Sequence, residues 1–109
     1  MTLENINAML LELGLPVAYN HFSKRTEPPY IVYYVQDSEN FFADNKVASE
    51  NVTVLIELYT KMKDVKLERE LKNILNNNEL PYELVGESFI EEDKVYQVIY
   101  QVNIIGLTD

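Results

Sequence analysis

At 109 residues the chain fits one domain, since domains commonly run to about 100–150 residues; it has no cysteine, which excludes disulfides, thiolate metal sites and cysteine nucleophiles. Eighteen acidic against nine basic residues give a formal charge of −9, which keeps the chain soluble, repels nucleic acid and anionic lipid, and opposes sequence-specific DNA binding. Met1-Thr2-Leu3-Glu4 is not a basic leader ahead of a long apolar run, and no stretch approaches the ~20 apolar residues that span a bilayer, so a soluble, non-exported protein without a membrane partner is expected.

Thr2 reads as an N-cap, Leu3, Ile6, Met9, Leu10 and Leu13 recur at helical spacing, and Gly14 stands where a glycine ends a helix; the spacing predicts a helix over 3–13. Leu15-Pro16 breaks it, Val17-Ala18-Tyr19 forms a short strand, and a polar stretch over 23–27 joins that strand to the next in what reads as a loose hairpin. Tyr30-Ile31-Val32-Tyr33-Tyr34-Val35 follows Pro28-Pro29. Alternate strand residues point to opposite sides, so Tyr30, Val32 and Tyr34 share one face and Ile31, Tyr33 and Val35 the other. Both faces are apolar or aromatic: one meets helices, and the other needs a second layer or a neighbouring subunit.

Residues 36–51 show no sustained period and read as a long loop carrying Phe41 and Phe42; long loops in compact domains are often functional. Val52, Val54, Ile56 and Leu58 then set the core side of a strand over 52–59. Asp64 caps a second helix, over 66–76, whose stripe is Leu67, Leu71, Ile74 and Leu75, and Asn76-Asn77-Asn78 closes it. Strands over 82–90 and 95–105, joined by the polar turn Glu91-Glu92-Asp93-Lys94, make the clearest hairpin. The resulting order is αβββαββ: an α+β domain over 1–109 with a mainly antiparallel sheet and both helices packed on one face.

Catalytic patterns are weak throughout. His21 is the only histidine and has no partner for a nitrogen-rich zinc set, Ser23 and Ser38 lack a nucleophile-elbow context, and Glu91, Glu92 and Asp93 lack the spaced ligands and turn glycine of a calcium loop. Gly14, Gly86 and Gly106 are too far apart to cradle a phosphate. No catalytic, cofactor-binding or metal residue is therefore assigned. The eight tyrosines point toward association, because amphipathic rings suit interfaces. Phe41 and Phe42, bracketed by Asn40, Asp44, Asn45 and Lys46, either fold back onto the core of the domain or fill a pocket elsewhere as an apolar anchor with a polar rim.

Four linked stretches carry a family resemblance: Pro28-Pro29-Tyr30-Ile31-Val32-Tyr33-Tyr34, Asn40-Phe41-Phe42-Ala43-Asp44-Asn45, Ile56-Glu57-Leu58-Tyr59-Thr60 with Lys63-Asp64, and Tyr96-Gln97-Val98-Ile99-Tyr100. In order and over almost the whole chain, they resemble a family of small proteins from the structural gene cluster of tailed phages and prophages of Gram-positive bacteria. The resemblance implies a head–tail connector, tail terminator or tail-completion protein. Such a protein acts by ring formation and surface fit, without catalysis or cofactor. Its implied partners are its own copies, the tail-tube protein and a head-completion protein, and its implied place is the virion after assembly in the host cytoplasm. The motif positions Tyr33, Phe41, Phe42, Asp44 and Asn45 become the expected protein–protein interface. A small cytoplasmic adaptor or regulatory binding module of the same α+β shape is the alternative, and gene neighbourhood separates the two.

Overall fold

The computed structural model describes residues 1–36 and 51–108, and Phe41, Phe42, Asp44 and Asn45 lie outside them. The elements are α1 (Leu3–Leu11), β1 (Val17–Tyr19), β2 (Tyr30–Val35), β3 (Asn51–Thr60), α2 (Val65–Asn77), β4 (Tyr82–Ile90) and β5 (Val95–Ile105). The expected αβββαββ order holds, in one five-stranded sheet ordered β1-β2-β3-β5-β4.

The Thr2 side chain accepts from the Asn5 backbone N–H at 3.1 Å while Asn5 Oδ1 accepts from the Thr2 N–H at 2.8 Å, a reciprocal cap that satisfies two donors at the start of α1. The helix ends at Leu11, two residues short of the expected end. Its last turn tightens into three-residue bonds, Glu12 N–H to Met9 O, Leu13 N–H to Leu10 O and Gly14 N–H to Leu11 O, and Gly14 takes a φ of +85°. At α2, Asp64 Oδ1 accepts from the Leu67 N–H at 3.0 Å. The far end closes with Leu80 N–H on Leu75 O and Glu79 N–H on Asn76 O, the paired pattern of a left-handed helix stop; Glu79 supplies the positive φ of 56°.

The expected hairpin between the first two strands is corrected: β1 runs parallel to β2, with Val17 beside Ile31 and Tyr19 beside Tyr33. Residues 20–29 carry the chain back to the other end of the sheet, far more than the two to five residues of a hairpin turn. Asn20 begins that return at a φ of +68°, which asparagine tolerates. The remaining pairs are antiparallel.

Register builds the core in rows. Tyr33, Ile56, Tyr100 and Leu84 lie side by side across four strands, as do Val35, Val54, Val102 and Tyr82. Both helices cover this side: Ile6, Met9 and Leu10 of α1 and Leu71 and Leu75 of α2 pack with Ile31, Tyr33, Ile56, Leu58, Val98 and Tyr100 in one buried cluster. On β4, beyond the helices, Leu84 and Phe89 stay exposed.

Candidate functional site

Alternation leaves one side of the sheet without helices, and its centre is a polar–aromatic belt. Tyr30, Val32 and Tyr34 of β2, Leu55, Glu57 and Tyr59 of β3, and Gln97 and Ile99 of β5 occupy this side. In register, Glu57 stands between Val32 and Ile99, and Tyr59 between Tyr30 and Gln97. The Tyr30 and Tyr59 rings stack at 4.9 Å between centroids, and Phe22 from the return segment meets Tyr30 edge-on at 5.2 Å. Such pairs contribute beyond their buried area, about 0.5–1.5 kcal/mol each.

Glu57 is the hub. Its Oε2 accepts from the Tyr34 hydroxyl at 2.8 Å and its Oε1 from the Tyr59 hydroxyl at 2.7 Å, while Gln97 Nε2 donates to the Tyr59 oxygen at 2.7 Å. The residue is only 8% exposed although no second layer of the described residues covers it, because the tyrosines lie over it. Burial, reinforced by the bond to the Glu57 carboxylate, pushes the Tyr34 hydroxyl up to about 12. Tyr59 moves up for the same reasons, partly offset by the bond from Gln97. Tyr30 is also raised, by burial first and then by Asp93 and Glu57. Tyrosine hydroxyls are protonated at neutral pH at their ordinary value, and these upward shifts extend their role as donors to higher pH.

Two other features lie on the helix side. Lys63 Nζ bridges Glu68 Oε1 and Glu87 Oε2, both at 3.0 Å, and sits 5.5 Å from the centre of the Tyr96 ring, whose hydroxyl donates to Glu87. The two carboxylates hold the Lys63 ammonium above its ordinary range, and the bonds from Tyr96 and then Lys63 pull the Glu87 carboxyl down. Beneath them, Glu68 Oε2 and the Tyr100 hydroxyl are buried without a hydrogen-bond partner among the described residues. The second feature is an apolar cleft of about 310 Å³ between α1 and the β1–β2 edge, lined by Leu3, Ala8, Leu11, Tyr19 and Tyr33.

Of the expected interface residues, the structure places Tyr33 alone, and inward. It is 4% exposed, meets Tyr19 edge-on at 5.2 Å and donates to Asn7 Oδ1 at 3.3 Å. Register accounts for this: Tyr33 shares its face with Ile31 and Val35, opposite Ile56, so its ring belongs to the core, and Tyr30 and Tyr34 are the strand's outward tyrosines. His21 is exposed, and no group of three or more metal-ligating side chains occurs among the described residues. No helix is long and apolar enough to cross a membrane. The residue that sequence reasoning passed over is Glu57. Its signal was a single acid in an otherwise uncharged strand with a tyrosine two positions on, hence on the same face. No protein-family model matches the chain, and no curated protein matches it.

Proposed function

We propose that the chain is a virion assembly protein that joins phage head and tail, acting by ring formation and surface fit. The observation that carries an assembly role is the helix-free face, where a two-layer domain leaves a tyrosine-rich side of its sheet without cover from the described residues. The head–tail assignment rests on the four linked motifs. Own copies, the tail-tube protein and a head-completion protein are the proposed partners, and a head-to-tail interface that closes yields a ring without a self-complementary patch.

Deleting the reading frame from its phage tests the proposal. Separate heads and tails that join when the purified protein is added back are expected; infectious particles formed without it would end the reading. Phe41 and Phe42 are assigned by sequence alone. Replacing both with alanine is expected to leave thermal unfolding nearly unchanged and to stop particle completion.

A further inference from the structure

Among the described residues two carboxylates are buried, Glu68 at 7% exposure and Glu57 at 8%, on opposite sides of one sheet. A buried charge needs a compensating partner. Glu68 has one within its own chain, the Lys63 ammonium at 3.0 Å. Glu57 has only neutral donors, the Tyr34 and Tyr59 hydroxyls, and no salt bridge among the described residues reaches it. A carboxylate offers about four lone-pair positions, of which these hydroxyls use two. Beside it stand the half-buried rings of Tyr34 and Tyr59, whose hydroxyls it binds, with Tyr30 stacked on Tyr59, so that electron-rich aromatic rings gather next to a negative charge.

We infer that this belt is a docking site for an arginine side chain of a basic partner protein, with the guanidinium lying over the tyrosine rings and their hydroxyl oxygens and drawn there by Glu57. Arginine fits better than lysine because its planar, weakly hydrated head stacks on aromatic faces and bonds hydroxyl oxygens along its edge. The Tyr34 hydroxyl, which donates to Glu57, keeps its own lone pairs for such a bond. Charge argues against the same face of a second copy as the occupant. Two of these faces packed together would bring Glu57 against Glu57 in a chain that already carries a net charge of −9. The inference rests on the assembly reading only for the identity of the protein that carries the arginine.

The test is a nuclear magnetic resonance titration of the isolated full chain with N-acetyl-arginine amide, against the neutral isostere N-acetyl-citrulline amide. Saturable shifts centred on the Tyr30, Tyr34 and Tyr59 rings are expected with arginine, and binding about tenfold weaker or worse with citrulline and in Glu57→Gln. Equal shifts with both probes, shifts centred on the exposed Glu91–Asp93 turn, or line broadening without probe that Glu57→Gln relieves would each overturn it, the last by showing a second copy on this face. The arginine–citrulline contrast uses the unaltered protein, so it decides the matter even if the variant unfolds. A phage that joins heads to tails without this protein would leave the titration result standing, so the two readings fail separately.

Discussion

The two sides of the sheet are built from the same strands and hold themselves together differently. On the helix side, Val54, Ile56 and Leu58 of β3 have no exposed surface, packed under α1 and α2 beside Val98, Tyr100 and Val102. Burying a side chain of that size contributes about 1.5–3 kcal/mol, so this side supplies most of the stability. One residue along in β3, the other side is made of Leu55, Glu57 and Tyr59, held by ring stacking and hydroxyl–carboxylate bonds. Cohesion there comes from directional contacts at a surface, each modest in net effect. Among the described residues the centre of the helix side is covered within one chain, whereas the open side is ordered without a covering layer.

Core truncation should break this contrast most forcefully if it is wrong. Ile56→Ala and Leu71→Ala remove fully buried groups and are expected to lower unfolding free energy by about 2–5 kcal/mol in urea titrations. Leu55→Ala, one position away on the open side, is expected to cost about 1 kcal/mol or less. A Leu55 loss equal to that of Ile56 would mean that the open side is already covered in the free subunit.

The carboxylates sharpen the comparison at the next level. Lys63→Met leaves Glu68 buried without its cation and Glu87 beside it, and is expected to cost about 1–3 kcal/mol, reduced from a fully buried pair because Lys63 is itself part-exposed. Glu57→Gln keeps one oxygen for a tyrosine hydroxyl and offers an amide to the other, so a loss below about 1 kcal/mol is expected. Equal losses would indicate that the open-side charge, like Glu68, is needed for folding.

Much of this architecture was legible in sequence. The bounds of β4 follow from the Leu80-Pro81 break and the polar turn after Ile90, those of β5 from alternation, and the face assignment of Ile56, Val98 and Tyr100 follows from the same period. The direction of β1 was not legible, because it depends on the route that residues 20–29 take through space. At Tyr33 the motif points to an interface while alternation sets the residue with Ile31 and Val35, and alternation decides. The Glu57 belt was half legible. Tyr59 is two residues away, but Tyr34 lies 23 residues back and reaches Glu57 only through the β2–β3 register.

A pH series probes both sides at once. Tyr34 on the open side and Tyr100 on the helix side are each pushed up to about 12, both by burial first, with Glu57 adding at Tyr34 and Glu68 at Tyr100. A raised folded pKa favours the protonated hydroxyl in the fold. Its contribution is therefore fully present below the unfolded tyrosine value of about 10 and is lost as pH rises through about 12. Urea stability is expected to be insensitive to these groups at neutral pH and to fall above pH ~10, and Tyr34→Phe should flatten part of that fall. An unchanged slope in Tyr34→Phe would detach the hydroxyl from Glu57.

The smallest effect is expected at Gly86, which faces Ile99 on the open side just past the register shift between Leu84 and Gly86. A Cβ there would stand 3.3 Å from Ile99 Cδ1 and 3.7 Å from its Cβ and Cγ1. The closest neighbour is thus the free end of a half-buried side chain, which turns aside at little cost. Alanine also removes backbone freedom from the unfolded chain, a gain of about 0.4–1 kcal/mol where the native backbone accepts it. Gly86→Ala is expected to change stability by no more than about 0.5 kcal/mol, toward stabilisation, which for a domain of this size is a midpoint shift of about 4 °C at most. A loss above about 1.5 kcal/mol, the range of an overpacked interior, would show that Ile99 has no room to move and that the open side is packed as tightly as the core.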